Sequence, residues 1–109
     1  MLLNDPIYVE AARVFAQKAV SSGGKTFRAQ LDWVFDRALN RPPSAQERSI
    51  LSGLYERSLK RFAAAPATAR ELLNVGEAPR LSDRNQVPLA AMTTVTRAVL
   101  NLHELITRN

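Results

Sequence analysis

Asp32 and Asp36 are the residues whose types and spacing come closest to a catalytic pair. At i and i+4 they share one face of a helix, as two carboxylates in an acid–base dyad would. Arg28 and Arg37 flank them, and a solvated, ion-paired face accounts for the same residues more simply. His103 is the one histidine of the chain, with Val99 and Leu100 where a helical metal site would want its second donor. No His-x-x-His, Glu-x-x-His or Asp-rich loop spacing occurs, so His103 reads as a surface or hairpin-edge histidine. Met92 falls in an apolar stripe and reads as a space-filler, not a haem ligand. Gly23-Gly24 lacks the preceding strand that a phosphate loop requires, and there is no Gly-x-Ser-x-Gly. With no cysteine there is no thiolate metal site and no covalent haem attachment. The residues do not read as those of an enzyme, and no cofactor is expected.

The charge balance raises a second chemistry. Lys and Arg number 15 against 10 Asp and Glu, a net charge of +5, but the basic residues are spread from Arg13 to Arg108. The nearest thing to a cluster is Arg57, Lys60 and Arg61, on the outer side of a helix. A nucleic-acid surface would require these to converge with Lys25 or Arg28. A solvated helix face is the simpler reading, so nucleic acid is not the expected partner.

Helices must position all of these groups. Leu31, Val34, Phe35, Ala38 and Leu39 recur at i, i+3, i+4, i+7 and i+8 before the hinge Asn40-Arg41-Pro42-Pro43-Ser44. Ser44-Ala45-Gln46-Glu47 is a capping box, and Leu51, Leu54, Tyr55, Leu59 and Phe62 continue a second apolar face. The stretch Gln30–Phe62 is therefore an αα-hairpin around which the chain is organised. Ahead of it, Asn4-Asp5-Pro6 opens a first helix with a small-residue stripe, Val9, Ala12, Ala16 and Ala19, ended by Gly23 and Gly24 as a left-handed C-cap. Thr26 caps the second helix, which runs to about Asn40, and Gly53 in the third is expected to pack closely against it. Pro66 to Val75 reads as a short fourth helix with a second capping box at Thr68–Glu71. Glu77 to Val87 reads as a loop, and a last helix starts near Pro88 with Met92, Val95, Val99, Leu102 and Ile106 as its stripe.

At 109 residues, 46% hydrophobic and 23% charged, the chain has the length and composition of one globular domain. No apolar run approaches the roughly 18 residues that span a bilayer, so no membrane span is expected. The start of the chain lacks a basic region followed by an apolar one. The protein is then expected to be cytoplasmic, or a piece of a longer exported chain.

Several stretches in order resemble one family. Leu2-Leu3-Asn4-Asp5-Pro6 with Val9-Glu10-Ala11-Ala12-Arg13 is similar to an "LLNDP..VEAAR" opening. Ala38-Leu39-Asn40-Arg41-Pro42-Pro43-Ser44-Ala45-Gln46-Glu47 is similar to an "ALGRPPTPAE" hinge, with Asn40 where glycine is usual. Leu73-Asn74-Val75-Gly76-Glu77 matches "L.VGE", and Val99 to Arg108 resembles an "LLNLDEFLTR" ending with His103 in place of the common acidic residue. These are pieces of the last part of a planctomycete-type domain of unknown function, found C-terminal to a cytochrome-c-like domain in large proteins. The resemblance implies a C-terminal segment of a longer, exported or envelope-associated multidomain protein, working on complex carbohydrate in company with a haem domain. It carries no catalytic motif onto this segment.

The expectation is thus an all-α domain over residues 1–109, four or five helices in a small bundle around the hairpin, with the long C-terminal helix packed across it. Its expected role is a non-catalytic structural or interaction module, whose partner is the rest of the parent polypeptide or another protein. The candidate interaction surface is an apolar patch involving Leu2, Tyr8 and Trp33. Two rivals are a small basic nucleic-acid-binding helical domain and a contributor of Asp32, Asp36, Trp33 or the 77–87 loop to an active site completed by the rest of the parent chain.

Overall fold

A computed structural model describes the backbone of residues 6–73 and 86–107 and the side chains of residues 10–73 and 86–102. The described residues form an all-α bundle: α1 (Pro6–Ser22), α2 (Phe27–Leu39), α3 (Ala45–Ala64), α4 (Pro66–Leu73) and α5 (Gln86–Thr107). The termini are where local chemistry puts them. Thr26 accepts the Ala29 amide through its hydroxyl, and Ser44 and Glu47 complete the capping box in both directions.

The α1–α2 turn is held by its two glycines in different ways. The positive φ falls on Gly24, at +120°. At Gly23 a Cβ would stand 2.6 Å from the Ala19 carbonyl and 3.0 Å from Trp33 Cβ, so this residue is a close-packing position.

α2 and α3 run antiparallel, as the hinge dictates. Phe27 at the start of α2 stacks on Tyr55 in mid-α3 with ring centroids 4.3 Å apart. Nearer the hinge, Arg48 Nη2 reaches Asp32 Oδ1 at 2.8 Å. Large side chains bridge this pair, and the closest backbone approaches are elsewhere: α5 packs on each of the other four helices. Its Leu89, Ala90, Met92, Val95 and Val99 enter a single core with Leu31, Val34 and Phe35 of α2, Leu51 and Phe62 of α3, and Ala69 and Leu73 of α4. Ala12, Ala16 and Ala19 have no exposed surface, and α1 lies close along α5. There the buried Thr96 hydroxyl, 2.7 Å from the Ala12 carbonyl oxygen, donates across the interface.

Four sequence readings need correction. Gly53 does not pack on α2; a Cβ there would meet only Arg57 Nη1 of its own helix, at 3.2 Å. α4 begins at Pro66, which makes Thr68 an interior residue and not a cap; its amide donates to the Ala65 carbonyl. Gln86 and Val87 belong to α5 and not to the preceding loop, because Pro88 is tolerated anywhere in a first turn. Asp32 pairs with Arg48 across the hairpin, not with its sequence neighbours. Residues 74–85, which include the rest of the expected loop and Val75, lie outside the described residues.

The alanine stripe of α1 leaves no room for a larger residue. Ala16→Leu should cost about 1–3 kcal/mol by overpacking the α1–α5 interface. Urea unfolding followed by circular dichroism checks this, with Ala11→Leu on the exposed face as a control expected near neutral.

Candidate functional site

The most strongly built local feature is the hinge. Asn40, the α2 C-cap, sits at φ 58° and ψ 30°, and its amide donates to the Asp36 carbonyl. That left-handed geometry is one that glycine adopts freely and asparagine tolerates. Arg41 then folds back 5.5 Å over the buried Phe35 ring. Its guanidinium donates a two-pronged fork to Glu47, Nη1 to Oε1 at 2.7 Å and Nη2 to Oε2 at 2.8 Å. The same Oε1 accepts the Ser44 amide at 2.8 Å. Bonding from Arg41, and then from the Ser44 amide, lowers the Glu47 carboxyl from 4.5 to about 2. The bond to Glu47 raises the Arg41 guanidinium in turn. This arrangement fixes where α3 starts.

Along the α3–α5 seam three cavities join end to end. The first, about 250 Å³, lies beside the hinge between Ile50 and Leu51 of α3 and Val99 and Leu102 of α5. The second, about 330 Å³, continues past Leu54 and shares Ala98 and Asn101 with the first. The third, about 310 Å³, shares Thr94 and Arg97 with the second and ends at Arg61, Phe62 and Thr68. Residues 47, 50, 51 and 54 of α3 and 94, 97, 98, 101 and 102 of α5 are each spaced as one helix face. From Ile50 to Arg61 the groove is about 16 Å long at the rise of an α-helix. Ile50, on its rim, is 58% exposed and is the one large hydrophobic residue so exposed among the described residues.

The sequence-predicted surface is elsewhere. Trp33 is half-buried, its ring 5.6 Å from Phe15 of α1 and covered by the Arg37 guanidinium at 4.8 Å. Phe15 does line an open depression of about 540 Å³ with Val14 and Leu100, one side chain removed from Trp33. Leu2 and the side chains of Tyr8 and His103 lie outside the described residues. Asp32 is engaged by Arg48 as a charge contact short of a well-aligned hydrogen bond, and Asp36 is exposed. The two carboxylates are not brought together with any third group. Met92 is fully buried in the core. Among the described residues no three His, Cys, Asp or Glu stand together to hold a metal ion, and no helix is long and apolar enough to cross a membrane.

The basic residues are partly gathered. The antiparallel register that sets Phe27 beside Tyr55 carries Lys25 and Arg28 to the same end of the hairpin as Arg57 and Lys60. All four are exposed, and none forms an ion pair with a described residue. At the hinge end, by contrast, Arg41 and Arg48 are both paired with carboxylates.

Two residues carry weight that sequence reading passed over. Arg13 counted there only as one of the scattered charges, yet it has no exposed surface. Ile50 is an apolar residue on the solvent side of α3, a signal available as an isoleucine out of register with Leu51, Leu54 and Leu59.

The Glu47 carboxylate stabilises the fold above its ordinary value of 4.5, and this contribution is lost as pH falls through that range toward about 2. Wild type should therefore lose thermal stability between about pH 5 and pH 2 more steeply than Glu47→Gln, and at pH 7 the variant should be less stable by about 1 kcal/mol. Thermal melts of both proteins across that range check the difference.

A comparison with curated proteins gives no match, and one with solved structures gives none. A family model described as "PSD1: Protein of unknown function (DUF1553)" matches residues 1–55. The match takes in α1, α2, the whole hinge with its Arg41–Glu47 fork, and the first half of α3. With half of its length matched, from the first residue through Tyr55, the chain belongs to the PSD1 (DUF1553) family of proteins of unknown function.

Proposed function

We propose that the chain is a non-catalytic interaction module, and that its α3–α5 groove seats another part of a longer polypeptide of which it is the C-terminal segment. The observation that carries this is the groove itself, apolar at the hinge end and rimmed by the exposed Ile50. A large aliphatic side chain in water beside an apolar cleft is stabilised when a partner covers it. The fork at the hinge supports the reading, because it orders the start of α3, one wall of the groove, before any partner arrives. The resemblance described above supplies the setting: a planctomycete-type, exported or envelope-associated protein with a cytochrome-c-like domain upstream. In that setting this segment would close the C-terminus of the assembled chain, and any carbohydrate chemistry would belong to the parent as a whole.

Producing the chain and the remainder of such a polypeptide as two pieces should give co-purification. Ile50→Asp should weaken the association by about tenfold or more, equivalent to about 1.4 kcal/mol. Two pieces that never associate, or that associate equally well with Ile50→Asp, would overturn the reading.

One observation favours a second reading, the exposed basic end formed by Lys25, Arg28, Arg57 and Lys60, none of them ion-paired with a described residue. As a nucleic-acid surface it would bind with an affinity that falls steeply as salt rises. Titrating single-stranded and duplex oligonucleotides at low salt should then show binding that Arg57→Glu/Lys60→Glu abolishes; no binding removes this reading.

A further inference from the structure

The three joined cavities change chemistry along their length, and the gradient says what kind of segment fits. This step rests on the docking reading above. At the hinge end the walls are Ile50, Leu51, Val99 and Leu102. The one carboxylate there, Glu47, is already satisfied by Arg41 and the Ser44 amide. In the middle Leu54 and Ala98 face Asn101. At the far end Arg61 and Arg97 line the cavity with Thr68 and Thr94, opposite the single acidic residue Glu71. The Arg61 guanidinium lies 5.0 Å over the Phe62 ring and makes no ion pair with a described residue. A guanidinium set over a ring has N–H donors left for a carboxylate.

We propose that the occupant of the groove is an acidic amphipathic helix of about three turns, with aliphatic side chains against Ile50 and Leu102 and a carboxylate against Arg61. The length follows from the groove of about 16 Å, which about eleven helical residues fill. A trough between two antiparallel helices accepts a third through anchors at i, i+3, i+4 and i+7. Charge complementarity at the far end then fixes which way round the helix lies. The net charge of +5 favours an acidic segment over a basic one from the first encounter.

Synthetic peptides of about fourteen residues test this by fluorescence anisotropy on the full chain. All share a Leu stripe, with three Glu at one terminus or the other, or three Gln, or three Lys. The better of the two Glu peptides should bind about tenfold more tightly than its Gln counterpart at about 50 mM salt, an advantage that shrinks at about 500 mM. Arg61→Glu, at an exposed position where folding is not at risk, should reverse the preference toward the Lys peptide. Equal affinity for Glu and Gln peptides, or an Arg61→Glu variant that still prefers Glu, overturns the proposal while the two-piece association above still stands or falls on Ile50. Sedimentation showing a dimer that Ile50→Asp dissolves would also overturn it, by giving the groove to a second copy.

Discussion

The fold depends on one constraint: α5 must be buried by neighbours on nearly every side. A helix that touches four others cannot rely on a single stripe of large residues. It needs small or flexible side chains wherever another backbone comes close. Ala90, Ala91, Thr93 and Thr96 supply that alongside Met92, Val95 and Val99, and all seven are buried. α1 answers with Ala12, Ala16 and Ala19, so the two helices approach until the Thr96 hydroxyl reaches the Ala12 carbonyl. A buried hydroxyl in an apolar interface is costly unless it is bonded, and Thr96 has two acceptors, the Ala12 carbonyl across the interface and the Thr93 carbonyl of its own helix at 3.0 Å.

The hinge sets the other side of the bundle by different physics. Asn40 turns the chain by adopting the left-handed region, and Pro42 and Pro43 prevent α2 from continuing. Arg41 and Glu47 then close the turn with a fork that is partly sheltered from water, the side chains keeping 41% and 25% of their surface. At such exposure an ion pair alone contributes little. Its value here is that the same carboxylate caps α3, so one group satisfies an amide, a guanidinium and a helix terminus together. The glycine usual at the position of Asn40 in the resembled hinge has a physical meaning in this φ of 58°.

What was legible in the sequence was local. The caps at Thr26 and Ser44, the stop at Gly23-Gly24 and the helical periods of Leu31–Leu39 and Met92–Leu102 involve residues a few positions apart, whose geometry propensity and sterics decide. That the long C-terminal helix packs across the others was legible from its length and stripe; how far round it is buried was not, because its alanines and threonines look neutral beside the larger residues. Thr68 satisfied the spacing of a capping box, but the Pro66 ring had already fixed the helix start two residues earlier. The site was less legible still. Trp33 drew notice by its size, yet Phe15 and Arg37 cover it, whereas Ile50 stands in solvent. Which large residue is left uncovered is a property of how helices pair, not of the residue.

The open groove follows from that pairing. α3 has 20 residues and α4 only 8, and α4 returns along the C-terminal end of α3 and onto α5. It forms a wall of the groove near Phe62 and Leu72, and leaves the first turns of α3 beside α5 uncovered by any described residue. The hinge fork opposes the obvious relief, in which α3 would roll to bury Ile50 against α5. Rolling would pull Glu47 from Arg41 and give up the two-pronged fork, while the capping-box bonds within the first turn of α3 would turn with it. The geometry that holds the helix start therefore opposes the roll that would bury Ile50.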